Sequence, residues 1–304
     1  MLSIDVPFWI GDRKFTEDDI ELIHTTVAQF RQLSRKELAW TLCENLSWKA
    51  PNGRLRVDAC LKLLADFEQT GWLSPPPVRR NAAKGNRGKE MAGTPVETTL
   101  TASLREASPV SVDPVSPSEL GDWNVTMQAY HPLGYHRPIG AHQRYWIRVQ
   151  TQEGRVVAGC LLFGAAAKAL RIRDEWIGWS PEQQTRYRMR IVNNNRFLIL
   201  PQVHVPHLAS HALALATRRL RSDWQTRYGY EPVLLETFVE QEYLGTCYRA
   251  ANWIHVGQTK GRGRQDTHHK YGTSVKNLWM YPLVRDWRER LISPLPHSVA
   301  PEFE

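Results

Sequence analysis

One stretch, residues 193–257, constrains the fold of this chain more than any other part of the sequence. Apolar runs that predict buried strands alternate there with segments that predict helices. The pattern is strand, helix, strand, helix, strand, over residues 197–200, 208–228, 233–239, 243–251 and 253–256. This order places strands side by side with helices packed against the sheet. Polar groups follow these strands, where the ligands of open α/β sheets usually bind.

Length and charge set broad limits on domain count and partners. A chain of 304 residues is long enough for two modest domains, and its 42% hydrophobic residues support real cores. The formal net charge of +8 is compatible with a polyanionic partner, because Lys and Arg release counterions from phosphate backbones. An ordinary basic protein without such a partner is the alternative.

The cysteines exclude a zinc ribbon. Cys43, Cys60, Cys160 and Cys247 are far apart and form no Cys-x-x-Cys pair. The N-terminus lacks a basic region followed by an apolar run, and no segment approaches the length of a membrane span. We therefore expect reduced thiols in a cytoplasmic protein that has no membrane partner.

Residues 1–73 are predicted to form a helical domain of winged-helix type. Three helices are expected, and the second begins at a capping box formed by Ser34 and Glu37. A turn containing Asn52-Gly53 precedes the third helix, which carries Arg54 and Arg56 on its exposed side. These two arginines are predicted to contact nucleic acid. A three-helix protein-docking module is the alternative.

A flexible basic and proline-rich linker is predicted over residues 74–118, where apolar periodicity disappears. An α/β domain follows over residues 119–292, and residues 293–304 form a tail. The first predicted elements of the α/β domain are a hairpin with strands at 145–149 and 156–163, then helices at 165–173 and 183–189. A strand at 275–283 and a short helix at 285–291 complete the domain.

Several motifs resemble the DruA family, which is associated with the Druantia anti-phage system and with mobile elements. They are Arg-Asp-Glu-Trp-Ile-Gly-Trp-Ser (173–180), Asn-Asn-x-Arg-Phe-Leu-Ile-Leu-Pro (193–201), Leu-Ala-Ser-His (208–211), Leu-Leu-Glu-Thr-Phe-Val (234–239) and Gly-Thr-Cys-Tyr-Arg-Ala-Ala-Asn-Trp (245–253). The order of elements over residues 123–257 also resembles the GNAT acyltransferase fold. Together they imply an α+β protein with a winged-helix-like domain and a GNAT-like mixed sheet.

The resemblance implies a component of anti-phage defence that binds or processes nucleic acid. DNA or RNA and other defence-system proteins are the expected partners. Two alternatives stay open, a GNAT-like transferase that modifies a nucleic acid or a protein, and a non-catalytic scaffold of a defence complex.

The cofactor is not identified by the sequence. GNAT-type enzymes bind pyrophosphate on a glycine-rich loop at a helix N-terminus, but the matching residues 203–211 contain no glycine and include Pro206. Acetyl-CoA is therefore not expected. His207 and His211 are spaced i, i+4, and with a nearby carboxylate they are candidate ligands of a divalent metal ion.

Four residues are candidates for catalysis. Glu236 lies on the strand predicted at 233–239 and offers general acid–base chemistry. Tyr243, Cys247 and Tyr248 lie on the short helix that follows, where a lowered pKa would make a nucleophile or proton donor. The alternative for Cys247 and Tyr248 is packing in the core.

Polar and basic residues beside these elements are predicted to contact nucleic acid. Asn195 and Arg196 can read base edges or phosphates, or else cap the entry to the strand. The cationic loop over residues 261–270 can follow a phosphate backbone, or else is only solvated. The predicted set in this domain is Asn195, Arg196, Arg249, Lys260, Arg262 and Arg264.

Overall fold

The computed structural model describes residues 6–11, 13–31, 33–50, 53–76, 91–138, 140–260 and 274–293. The helices in these ranges are α1 (Glu17–Gln29), α2 (Arg35–Asn45), α3 (Val57–Gln69), α4 (Leu120–Tyr130), α5 (Arg171–Ile177), α6 (Pro181–Tyr187), α7 (Leu208–Tyr228), α8 (Thr246–Ala250) and α9 (Trp287–Ile292). The strands are β1 (Phe8–Ile10), β2 (Arg13–Phe15), β3 (Leu100–Thr101), β4 (Ser111–Pro114), β5 (His142–Thr151), β6 (Gly154–Ala165), β7 (Ile191–Ile199), β8 (Val203–His204), β9 (Leu234–Glu240), β10 (Ile254–Gln258) and β11 (Lys276–Pro282).

A mixed sheet dominates the fold, with strand order β10-β11-β9-β7-β6-β5-β4. Neighbouring strands of this sheet are antiparallel, except that β7 and β9 run parallel to each other. Parallel neighbours need a crossover, and α7 supplies it. The parallel register covers only three residues of each strand, with Asn193 opposite Glu236 at its end. The expected α+β fold with a mixed-sheet domain is confirmed.

Helix α7 is anchored to the sheet by buried aromatic and polar contacts. Trp224 and Tyr228 are each about 1% exposed. The Tyr228 hydroxyl donates to the backbone carbonyl of His142 at 2.7 Å. The Tyr145 hydroxyl of β5 donates to Asp223 at 2.8 Å. The helix extends over the residues that the sequence predicts, because its apolar period and its closing Gly229, with φ 77°, are both local signals.

The N-terminal residues form the expected three helices, preceded by the β1–β2 hairpin. Ser34 and Glu37 form the predicted capping box at the start of α2. Arg35 donates two hydrogen bonds to Glu68, at 2.7 and 2.8 Å, and so joins α2 to α3. The described hairpin precedes α1 and does not follow α3, so the winged-helix assignment stays a prediction.

The flexible linker expected over residues 74–118 does not extend over residues 91–118. Leu100 in β3 pairs with Val203, and β4 joins the main sheet beside β5. Ala107 and Val112 are buried. The apolar residues of this segment are spaced without a local period, so their partners become visible only in the folded chain. Residues 77–90 lie outside the described residues.

One predicted helix is displaced. The sequence predicts a helix at 165–173, but β6 continues to Ala165 and α5 covers Arg171–Ile177. The strand predicted at 197–200 begins earlier in the structure, at Ile191. Its first residues were not predicted, because the polar run Asn193–Asn195 interrupts the apolar pattern.

In the described part of the chain, no helix is both long and apolar enough to cross a lipid bilayer.

The N-terminal helices α1 and α2 contact the mixed-sheet domain at their C-terminal ends. Phe30 at the end of α1 is 3% exposed and contacts Tyr230 and Tyr228, with ring centroids 5.5 and 6.5 Å apart. Lys168 donates to the backbone carbonyl of Asn45 at 3.0 Å and also to the Ser47 hydroxyl. One hydrophobic core therefore continues across the junction between the two parts.

We expect Phe30→Ala to lower the free energy of unfolding by about 3–5 kcal/mol, because it leaves a cavity in this shared core. Denaturant unfolding followed by fluorescence measures the change. Leu133→Ala is the control, since Leu133 is 50% exposed. A shared core also predicts that the wild-type protein unfolds in one transition. Separate transitions for the two parts, or equal effects of the two substitutions, would contradict the packing.

Candidate functional site

Three of the motifs noted in the sequence meet on one face of the sheet, at the parallel pair β7–β9. Arg173 comes from α5, Asn193 from β7 and Glu236 from β9. Arg173 Nη1 lies 3.0 Å from Glu236 Oε2, and both side chains are fully buried. The other carboxylate oxygen of Glu236 accepts the backbone N–H of Ala167 at 2.7 Å. Glu236 is thus committed to an internal ion pair.

Asp174 completes this buried network. Its carboxylate accepts from Arg173 Nε at 2.9 Å and from Gln184 Nε2 at 2.6 Å. Burial opposes the charge of the Arg173 guanidinium, but the charges of Glu236 and Asp174 outweigh burial and raise the pKa of Arg173. The arrangement stabilises a cation and leaves no open carboxylate, so its evident effect is to fasten α5 to β9.

The opposite face of the same strands holds Tyr248. Its hydroxyl donates to Asn194 Oδ1 at 2.8 Å, and its ring packs against Trp253 with centroids 5.1 Å apart. Burial raises the pKa of Tyr248 and also that of Cys247. Both groups are therefore held in their protonated forms, which is the opposite of nucleophile activation.

Tyr243, the fourth residue predicted to act in catalysis, lies apart from the buried network. It precedes α8 and is 54% exposed. Glu236 thus lies in a buried ion pair, Tyr248 lies in the core and Tyr243 lies on the surface. The structure does not bring the four predicted residues together in one open cleft, and their catalytic roles remain predictions.

The prediction that His207 and His211 bind a metal ion assumes that both residues lie on one helix, and the structure corrects this. Helix α7 begins at Leu208, and His207 is its N-cap residue with a left-handed φ of 65°. His207 therefore precedes the helix, and the i, i+4 argument for a shared helical face does not apply. Across the described ranges, no group of three or more His, Cys, Asp or Glu is placed to hold a metal ion.

Asn195 and Arg196 are half-buried and engaged within the protein, and their contact with nucleic acid stays a prediction. Asn195 lies at an irregularity in the β6–β7 pairing and faces Gly164, where a Cβ added to the glycine would be 2.5 Å from Asn195 Oδ1. Arg196 donates to the backbone carbonyls of Gly134 and Asn195, at 3.2 and 2.7 Å. Its partial burial lowers its pKa. These side chains shape the strand and its neighbouring loop.

The other predicted nucleic-acid contacts are exposed where the structure describes them. Arg249 lies on α8 with its guanidinium 6.0 Å from the centre of the Trp279 ring. Lys260 follows β10, and Arg54 and Arg56 lie in the turn before α3. Arg262 and Arg264 lie outside the described residues.

A group of cations at the junction of the two parts was not predicted from the sequence. Burial and, after it, the positive charges of Arg188, Lys49 and Arg13 together lower the pKa of Lys168 to about 8, while Glu44 opposes the shift. Such an effect requires the cations to lie close together. No sequence pattern predicts this, because the positions are widely separated along the chain.

Comparison with known proteins identifies one family. Residues 89–272, more than half of the chain, match the family described as "Druantia protein DruA". No curated protein sequence matches the chain.

Solved structures of acetyltransferases are similar to part of the chain. A ribosomal-protein-S5-alanine acetyltransferase from Vibrio fischeri is 8% identical over 63% of this chain and 99% of its own, with a TM-score of 0.37. A GNAT-family acetyltransferase from Bacillus anthracis is 10% identical over 58% and 96%, with a TM-score of 0.36. A spermidine N-acetyltransferase from Vibrio cholerae is 10% identical over 58% and 96%, with a TM-score of 0.35.

We expect Glu236→Gln to lower the free energy of unfolding by about 3–5 kcal/mol, because it leaves the buried charge of Arg173 without its main partner. Chemical denaturation at neutral pH measures the loss. Glu175→Gln is the matched control. Glu175 pairs with Arg171 on the surface, where the two side chains are 61% and 74% exposed, so its loss should cost less than about 1 kcal/mol. Equal effects of the two substitutions would show that the buried pair does not hold the fold.

Proposed function

Because the chain belongs to the DruA family, which implies a Druantia anti-phage system, we propose that it is a nucleic-acid-binding component of that system. The observation that carries the proposal is the crowding of positive charge around Lys168. We use the name cationic junction for Lys168 with Arg13, Lys49 and Arg188, together with Arg54 and Arg56 of the turn that Lys49 closes.

The cationic junction brings together residues from both parts of the chain. A β-bridge between Lys49 and Leu55 closes the turn before α3, and this turn also carries Arg54 and Arg56. Lys168 and Arg188 contribute from the mixed-sheet domain, and Arg188 donates to Asn45 Oδ1 at 2.9 Å. A ligand on this surface would therefore contact the helical part and the sheet part at once.

The electrostatics favour a polyanion as that ligand. Burial is the largest cause of the lowered pKa of Lys168, and the repulsion of the neighbouring cations, which raises the free energy of the unbound protein, adds to it. Phosphates placed among these cations would relieve the repulsion, and the displaced counterions would add a salt-dependent gain in free energy. The net charge of +8 would steer nucleic acid toward the protein over longer distances.

We expect the affinity for nucleic acid to fall steeply with salt, in proportion to the number of phosphates contacted. Fluorescence anisotropy with labelled single- and double-stranded oligonucleotides, from about 50 to 200 mM salt, gives the slope. Lys49→Gln and Arg54→Gln should each reduce the slope of log K against log salt by about one. Absence of binding to DNA and RNA, or binding that does not depend on salt, would overturn the proposal.

Arg155→Gln serves as the control for these substitutions. Arg155 is also a surface arginine, but it lies at the other end of β6 from Lys168 and pairs with Asp113. Its removal changes the net charge by the same amount as the junction variants. If all three variants reduce the slope of log K against log salt equally, the result would indicate a general effect of net charge and not a binding surface.

A second prediction concerns the uptake of protons when nucleic acid binds. A bound polyanion favours the ammonium form of Lys168 and raises its pKa from about 8. Binding should therefore take up protons at pH values just above 8, and the affinity should fall as the pH rises through that range. Calorimetry in two buffers of different ionisation enthalpy measures the uptake. Lys168→Arg keeps the charge but does not titrate, so it should abolish the uptake. Equal uptake by this variant would place the phosphates elsewhere.

A further inference from the structure

A second surface is formed by the residues that connect β9 to α8. Tyr243 is 54% exposed and Leu244 is 77% exposed, so two neighbouring apolar side chains project into solvent. We call this pair the β9–α8 tip. Exposed apolar side chains that adjoin one another are more informative than single ones, because they mark surfaces used for contact.

The tip rests on a rigid aromatic base. Gly245 has a φ of 62°, and a Cβ placed on it would lie 2.9 Å from the Trp279 indole. The backbone therefore runs directly over that ring, which is only 4% exposed. Because Gly245 has no side chain, the backbone that follows the tip lies directly against Trp279 of β11.

Cationic and hydrogen-bonding groups surround the same indole. The guanidinium of Arg249 lies 6.0 Å from the Trp279 ring centre, and the His255 imidazole lies 5.0 Å from it. Asn277 Oδ1 accepts from Gln258 at 3.3 Å and lies 3.1 Å from His255 Nε2. Gly245 thus connects the tip to a surface that carries a positive charge and polar groups.

We propose that the β9–α8 tip, with Arg249, is a docking site for single-stranded nucleic acid, in which a base stacks on Tyr243 and Arg249 contacts a backbone phosphate. Sites for single strands combine aromatic side chains with cations in this way. A duplex offers few free base faces, because its bases stack on one another, so the tip should distinguish the two forms. The inference rests on the proposed function and gives Tyr243 a binding role in place of catalysis.

The test compares Tyr243→Ala with wild type by anisotropy, using a labelled 20-nucleotide thymidine strand and a blunt-ended duplex of two strands. Loss of one stacked base should weaken binding of the strand about tenfold and leave binding of the duplex unchanged. Tyr243→Trp keeps an aromatic face and should retain the affinity. Leu133→Ala, which removes another exposed apolar side chain, should have no effect.

Each outcome bears on a different proposal. Unchanged affinity of Tyr243→Ala for the strand, or an equal loss for strand and duplex, overturns the tip as a single-strand site while the cationic junction stands. Absence of binding by the wild-type protein to either probe overturns both proposals. Because Tyr243 is on the surface, a thermal unfolding curve equal to that of wild type confirms that a loss of binding is not a loss of fold.

Arg249 and Glu242 provide an electrostatic test of the same site. Glu242 is exposed beside Tyr243, and its carboxylate would repel a phosphate drawn to Arg249. Arg249→Gln should weaken binding of the strand several-fold, and Glu242→Gln should strengthen it by a smaller factor. If the two substitutions act in the same direction, charge at the tip does not govern strand binding, and the proposal fails.

Discussion

The ion pair between Arg173 and Glu236 is the interaction on which the sheet domain depends. Moving two charges out of water costs several kcal/mol for each ion, and only close partners offset that cost. Here the guanidinium meets Glu236, Asp174 and the Ala167 carbonyl, and Glu236 also accepts a backbone N–H. The pair joins α5 to β9 beside the short parallel pairing, where few backbone hydrogen bonds connect β7 to β9.

Much of the fold could be predicted where its determinants are local. The extent of α7 and the Ser34 capping box follow from periodicity and from end signals, and the structure agrees with both. The prediction for residues 91–118 is wrong because their few apolar side chains acquire partners only when β4 pairs with β5 and β3 with β8. A continuous β6 likewise displaces the helix predicted at 165–173, since strand pairing overrides a weak helical pattern.

The candidate site was less predictable because residue type does not determine burial. A glutamate in an apolar strand suggests an acid or base, yet Glu236 is fully buried and paired with Arg173, which is far away in the sequence. Tyr248 suggests a nucleophile or proton donor, and its hydroxyl is satisfied by Asn194. Conversely, the cations around Lys168 come from both parts of the chain, so their common surface exists only after α2 has docked on the sheet.

The enclosure of Arg173, Asn193 and Glu236 also affects how relatives of this protein can be compared. These residues belong to the motifs that carry the family resemblance, and they face other protein atoms. Shared motifs of this kind report a shared scaffold. The surface positions that would meet a partner, such as Leu244, carry no such packing constraint and can diverge. Two proteins with the same motifs can therefore differ in what they bind, and specificity must be sought in the loops.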